Sequence, residues 1–266
     1  MNQSATSSSF VSKYGPWAIV AGASEGLGAA FATAIAARGV NLLLLARREV
    51  PLQDVAERLR SGAKVEVRTE VCDMARSDLP AVLADMTAGL EIGLAVYNAA
   101  HAPVGEFASR SVDDLVHVVD VNVRGPLIFA RTLASGMVAR GRGGIVLMSS
   151  LAGFQGAPRI ATYAASKAFN TVLGEGLWHE LRPKGVDVVV SCSGAIRTPG
   201  YALTARKDAV GTLDADVVAN ETLDALGRGP IVVPGAVNRL AHFVLGRVLP
   251  RRIAIGIFAL STKELS

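Results

Sequence analysis

The stretch WAIVAGASEGLGAAFATAIAARG, residues 17–39, decides how the fold is read. It opens on WAIVAG (17–22), a short apolar run that ends in glycine. It closes on AAFATAIAARG (29–39), which reads as a helix with Gly39 placed to end it. Between the two, Gly22, Gly26 and Gly28 form the spacing G-x-x-x-G-x-G. Glycines let a backbone turn tightly and approach a pyrophosphate, and the following helix N-terminus favours an anion. A strand, a glycine turn and a helix in that order are the opening of a dinucleotide site.

Outward from this stretch, strand-like and helix-like runs alternate. NLLLLA (41–46), KVEVRTE (64–70), IGLAVYN (92–98), GGIVLMSS (143–150), VDVVVSC (186–192) and PIVVPG (230–235) read as further strands. Helical runs fall at 52–62, 78–89, 111–140, 162–182 and 214–226. Strands buried on both faces and joined by helical crossovers imply an α/β fold, three layers doubly wound around a central seven-stranded parallel sheet. We expect a disordered, serine-rich tail over residues 1–13, one domain over 14–235, and a basic amphipathic segment over 236–266.

Half of the 266 residues are hydrophobic, which excludes a disordered chain. Cys72 and Cys192 form neither a disulfide framework nor a metal-ligand spacing. We therefore expect a reducing, cytoplasmic setting and no metal. Of 27 basic and 23 acidic residues, five basic residues and one acid lie in 235–266, so the remainder is neutral. That balance argues against a nucleic-acid partner and marks Arg239, Arg247, Arg251, Arg252 and Lys263 as a basic segment, with Glu264 its one acid. No run of about 18 apolar residues is present, so no helix is expected to span a membrane.

The end of the second strand discriminates between nicotinamide cofactors. A carboxylate there would bind the ribose hydroxyls of NAD, and an arginine suits the 2′-phosphate of NADP. LLLLARRE places Ala46 and Arg47 at the deciding positions, so NADP is expected ahead of NAD. Glu25, within the glycine turn, would oppose a phosphate unless an arginine pairs with it.

The second informative stretch is YAASKAFN (163–170). On a helix, Tyr163 and Lys167 share one face, a turn apart. With the glycine turn, this pair resembles the short-chain dehydrogenase/reductase family, whose Y-x-x-x-K follows the fifth strand. That resemblance covers roughly residues 15–235 and implies a Rossmann fold. The family's serine matches Ser150, thirteen residues before Tyr163, with Ser149 the adjacent alternative. Its asparagine matches Asn122 in VDVNVRG. The resemblance implies Tyr163 as proton donor, Lys167 lowering the phenol pKa and binding ribose, Ser150 orienting a carbonyl, and Asn122 supporting a proton relay. The cofactor residues it implies are Gly22, Ser24, Glu25, Gly26, Leu27 and Gly28 in the turn, Arg47, then Asp73 and Met74 after the third strand. Asn98, Ala99 and Ala100 match the family's N-N-A-G, with Tyr97 in place of the first Asn and Ala100 in place of the Gly. Ile196 and Thr198 match P-G-x-x-x-T, with Ser193 in place of the Pro.

Substrate contacts are expected from His101, Phe154, Gln155, Tyr201 and a lid over about 199–213. Their apolar character suits a neutral, hydrophobic ketone or alcohol. The resemblance implies a homodimer or homotetramer paired through the long helix, where Gly174 and Gly176 would admit a neighbour. The small Ala164 and Ala165 would let that helix lie close to the cofactor. The basic run 238–260, broken by Pro250, could pack on the domain, meet a subunit, or lie on a membrane surface. The expected activity is NADP-dependent interconversion of a ketone and an alcohol. A nicotinamide-dependent epimerase or dehydratase and a non-catalytic dinucleotide sensor are the alternatives.

Overall fold

The computed structural model describes residues 3–204 and 207–263. Met1 and Asn2 of the expected tail, Ala205 and Arg206 of the expected lid, and Glu264 lie outside the described residues. The strands are β1 (Trp17–Ala21), β2 (Asn41–Ala46), β3 (Val67–Val71), β4 (Ile92–Tyr97), β5 (Gly143–Ser150), β6 (Val186–Ser193), β7 (Ile196–Arg197), β8 (Leu213–Asp214) and β9 (Ile231–Val232). Seven pair in parallel in the order β3-β2-β1-β4-β5-β6-β9, while β7 and β8 form a separate parallel pair. The chain winds outward one way from β1 to β3 and the other way from β4. The crevice between β1 and β4 is therefore the topological switch point, where ligands of such sheets bind.

The helices are α1 (Gln3–Tyr14), α2 (Gly26–Ala37), α3 (Glu49–Gly62), α4 (Leu79–Met86), α5 (Val112–Val119), α6 (Gly125–Arg140), α7 (Ala161–Leu181), α8 (Pro199–Thr204), α9 (Ala215–Asp224), α10 (Ala236–Phe243) and α11 (Arg251–Lys263). The alternation of strand side chains builds a core on each face of the sheet. Ala18 and Val20 of β1 and Leu42 and Leu44 of β2 pack with Phe31 and Ile35 of α2. Ile19, Leu43 and Leu45 face the other way, toward Leu83 of α4 and Phe129 of α6. Each of the larger side chains, fully buried, contributes about 1.5–3 kcal/mol. Both cysteines are free and buried.

The N-terminal stretch departs from the expected tail. Residues 3–14 form α1, because its serines accompany an apolar stripe, Phe10, Val11 and Tyr14. Tyr14 is buried, and its hydroxyl donates to Asp187 Oδ2 at 2.7 Å. Lys13 pairs with the same carboxylate. A Cβ at Gly144 of β5 would come within 3.0 Å of the Tyr14 ring, so the helix sits directly on the sheet.

Candidate active site

The glycine turn closes between β1 and α2. Gly22 has φ +82°, in the left-handed region, and a Cβ there would lie 2.7 Å from Ala99 N. A Cβ at Gly28 would lie 1.9 Å from Gly22 O, so the turn and helix touch backbone to backbone. Asn98, at the end of β4, donates from Nδ2 to Gly22 O at 3.0 Å and ties the two walls of the crevice together. Glu25 is the N-cap residue of α2 and makes no side-chain cap, so the first amides of the helix, from Gly26, Leu27 and Gly28, are open. An uncapped helix N-terminus behind a tight turn fits a pyrophosphate. Thr198 packs on this turn, its methyl 2.9 Å from a Cβ built at Gly26. Ile196 lies in β7, paired with Leu213 of β8.

Around the turn, the remaining cofactor candidates take separate positions. Glu25 forms an ion pair with Arg48 at 2.8 Å, the pairing its presence near a phosphate calls for. Arg47 is exposed at the end of β2 and forms no ion pair among the described residues. Asp73 accepts the Ala75 N–H at 2.9 Å, and Met74 is buried beside it. Ala99 and Ala100 continue from Asn98 at the rim.

Ser150, Tyr163 and Lys167 converge where β5 ends and α7 begins. Ser149 and Ser150 point to opposite sides of the strand. Ser149 is buried and donates to Lys167 O at 2.8 Å, with Thr171 Oγ1 also at 2.8 Å, so it braces the helix. Ser150 caps the next 3-10 turn through Ala152 N at 3.2 Å, and its hydroxyl favours the ionised form of the nearby Tyr163 phenol. Lys167 is buried, donates to Met148 O at 3.0 Å, and holds Nζ 5.4 Å from the Tyr163 ring centroid. Burial lowers the Lys167 pKa to about 8. The Tyr163 phenol is raised by burial, and Ser150 pulls the other way. The expected lowering by Lys167 is not seen: burial dominates at Tyr163, and the ammonium lies over the ring and donates to Met148 O rather than to the phenol oxygen.

Asn122 sits in a π-helical turn, Asp120–Arg124, between α5 and α6. Its carboxamide accepts from His101 N at 2.8 Å, donates to His101 O at 2.8 Å, and reaches Ser166 Oγ at 3.1 Å. It therefore fastens the loop after β4 to α7. Its own carbonyl accepts from Asn170 Nδ2 at 3.1 Å, and Asn170 also lies 3.4 Å from Met148 O, the acceptor of Lys167. Asn170 Oδ1 is buried and has no hydrogen-bond partner among the described residues. The sequence reading passes over Asn170, although positions 163, 167 and 170 share a helix face within YAASKAFN. It also misses Arg124, which donates from Nη1 to Arg76 O at 2.9 Å and from Nη2 to Ser77 O at 2.8 Å, anchoring the π turn to the loop after β3.

The substrate candidates divide. Phe154 lies against His242 of α10, ring centroids 4.1 Å apart. Gln155 is buried and donates to Leu151 O at 2.9 Å, so its amide serves its own turn rather than the cleft. The His101 ring is engaged by Asp114 Oδ1 at 2.9 Å, and His101 and Arg110 hold that carboxyl below its usual range. The Tyr201 hydroxyl accepts from Ala209 N at 3.0 Å and pins the expected lid to itself. A narrow cleft of about 20 Å³ meets Tyr163 and is lined by Pro103, Phe107, Leu115 and Ile160, with Arg110 and Arg159. Ala164 packs on Ala152 and Ala157, while Ala165 is exposed, so the small residues of this turn seat the helix on its neighbouring loop. Phe258 of α11 packs on the same alanine cluster as Tyr163. Gly174 faces Val190 of β6, with a built Cβ 2.0 Å from Cγ2, and thus serves packing within the chain; Gly176 is open. No metal cluster occurs among the described residues.

Comparison with known proteins extends these observations. The family model described as short chain dehydrogenase matches residues 16–208. A very-long-chain 3-oxoacyl-CoA reductase of Phaeosphaeria nodorum is 33% identical over 228 residues, covering 82% of this chain and 66% of that protein. The chain spans two thirds or less of the length of the fungal reductases it matches. A structure from work on 7beta-hydroxysteroid dehydrogenase stereoselectivity superposes with TM-score 0.88 at 26% identity, covering 94% of this chain and 98% of that one. A short-chain dehydrogenase from Sphingobium yanoikuyae in complex with NADPH superposes with TM-score 0.76 at 30% identity, covering 83% and 88%. The glycine turn at the switch point, the Ser150–Tyr163–Lys167 cluster and these matches have one reading: the chain belongs to the short chain dehydrogenase family.

Proposed function

We propose that this chain is an NADP-dependent oxidoreductase interconverting a bulky, neutral, apolar ketone and its alcohol. One observation carries the reading: Ser150, Tyr163 and buried Lys167 meet at the end of β5, two strands along the same sheet edge from an uncapped α2 N-terminus. NADPH, when bound, supplies the hydride. A carbonyl oxygen accepting from the Ser150 and Tyr163 hydroxyls is polarised, and developing negative charge strengthens both bonds. The raised phenol pKa keeps Tyr163 protonated through the neutral range, ready to donate as the oxyanion forms. Lys167, near pKa 8, exchanges protons readily at neutral pH, and the Asn122–Asn170 pair lies on the path toward it.

Support for NADP comes from charge. Arg48 neutralises Glu25, which leaves Arg47 as an exposed cation at the end of β2. The NADPH complex of the Sphingobium relative agrees with this choice. Apolar residues near Tyr163, among them Phe107, Leu115, Ile160 and Phe258, favour a hydrophobic substrate, and the steroid and very-long-chain acyl names of the relatives support a large one. The half-exposed apolar residues Val116 of α5, Leu127 of α6 and Val172 of α7 suit a contact between copies, so we assign a homo-oligomer to that side.

The test is NADPH and NADH consumption across a panel of bulky ketones, by the wild-type chain and by Tyr163→Phe. We expect turnover with NADPH and a loss of about 10²–10⁴-fold in kcat/KM in the variant, with NADPH affinity within about twofold. Turnover retained by Tyr163→Phe, or none from wild type despite tight NADPH binding, sinks the catalytic assignment. An NADH preference of about tenfold or more sinks the cofactor assignment.

A further inference from the structure

The two C-terminal helices have one side that packs and another that does not. On α11, Ala254, Phe258 and Thr262 recur at four-residue spacing; Ala254 and Thr262 are buried, and Phe258 packs on the alanine cluster. Arg159 donates to Thr262 O at 3.0 Å and fastens the helix end. Ile253, Ile257 and Leu260 lie on the outward side at positions i, i+4 and i+7, exposed at 51%, 42% and 65%. On α10, Val237, Leu240 and Phe243 form a second exposed row, while Asn238 is buried and donates to Gly211 O and Pro234 O, both at 3.0 Å. Both helices are thus held by their inner faces while their outer faces carry apolar side chains in water, where isolated exposed residues are ordinary but a contiguous set marks a contact.

Charge identifies the occupant. Arg247, Arg251 and Arg252 are exposed and form no ion pair among the described residues, whereas Arg239 pairs with Glu221 at 3.3 Å. Residues 236–263 contain no Asp or Glu. Two copies meeting through this face would bring like charges together without a compensating carboxylate. An anionic headgroup layer supplies the missing negative charge, and its acyl boundary takes the apolar row. No helix among the described residues is long and apolar enough to cross a membrane, so the contact is one of lying on the surface.

We infer that the outer face of α10 and α11 docks this chain on an anionic lipid surface, with the arginines over the headgroups and the apolar row at the acyl boundary. The site described above is reached by the inner face of the same helices, through Phe154–His242 and the alanine cluster. Docking therefore holds the Tyr163 cleft next to a store of apolar molecules.

Co-flotation of the full chain with vesicles tests this. We expect binding to vesicles with about 30% phosphatidylserine, little to pure phosphatidylcholine, and release as salt rises from about 0.1 M to about 0.5 M. Each arginine removed should lower partitioning about fivefold, so Arg247→Glu/Arg251→Glu/Arg252→Glu should abolish it while leaving the melting temperature and turnover of a water-soluble ketone unchanged. Leu240→Ser/Ile257→Ser should weaken binding without changing the salt dependence. Absence of wild-type binding, or binding indifferent to the charge reversal, overturns the inference. So does a wild-type oligomer that the serine variant dissociates, which would make this face an interface between copies.

Discussion

Lys167 is held where a charge is costly. Its pKa falls from the ordinary 10.5 to about 8 on burial. Between those values the unfolded chain binds a proton that the folded chain does not, so stability rises with pH across that window. Below about pH 8 the folded protein bears the full cost of a buried ammonium. Lys167→Met removes that cost, and the gain at pH 7 should reach up to about 3 kcal/mol, shrinking toward zero above about pH 10.5. The lost bond to Met148 O offsets part of it. Denaturant unfolding of both proteins at pH 7 and pH 10 checks this, and a variant no more stable than wild type at pH 7 rules out the burial cost. Tyr163 and Lys167 are readable from the sequence because their spacing joins two unlike groups on one helix face. Asn170 sits on that face too, but an asparagine beside alanine and phenylalanine has no chemistry of its own until Asn122 O and Met148 O are seen next to it.

Among the elements, the strands are the most legible, because burial on both faces leaves unbroken apolar runs such as NLLLLA, recovered residue for residue as β2. Segment α1 is concealed by its serines, since three large apolar residues in twelve do not announce a helix without the sheet they cover. The π turn is invisible for a different reason: one extra residue per turn barely disturbs the apolar periodicity of α5 and α6. Tyr97, which in the sequence is merely a departure from N-N-A-G, braces that turn. The Tyr97 hydroxyl donates to Val121 O at 2.5 Å, next to Asn122, and its ring meets Phe129 edge-on with centroids 5.4 Å apart. Tyr97→Phe keeps the ring contact and deletes only the hydroxyl. The freed Val121 carbonyl is then buried without that partner, at a cost of about 1–3 kcal/mol. We expect that loss in unfolding experiments, together with a lower kcat at unchanged KM for NADPH, because Asn122 loses its brace while the glycine turn does not. Unchanged stability and kcat would mean that the π turn stands without Tyr97.

At the scale of the whole molecule, the cofactor side and the substrate side are built differently. The glycine turn, Arg47, Asp73 and Asn98 each follow directly after a strand of one parallel sheet, so chain order alone brings them to one edge. The substrate side is assembled from segments far apart in sequence, and there Gln155 turns inward while Phe258, unremarkable in its own run, reaches the alanine cluster shared with Tyr163. No local spacing could reveal that, because the packing partner of α11 is chosen by tertiary shape. If α11 forms part of the substrate wall, Phe258→Ala should act on large substrates selectively. Removing a partly buried ring forfeits up to about 2 kcal/mol of apolar contact, so kcat/KM for a bulky ketone should fall about tenfold to thirtyfold, mostly through KM. A small ketone that does not reach the wall should lose less than about twofold, and NADPH affinity should hold, since the cofactor edge lies on other elements. Phe258→Leu, which keeps most of the apolar volume, should recover much of the loss. Melting curves separate a damaged fold from a damaged wall: an equal fall for bulky and small ketones, tracking a lower melting temperature, would make α11 a brace for the fold and remove it from substrate recognition.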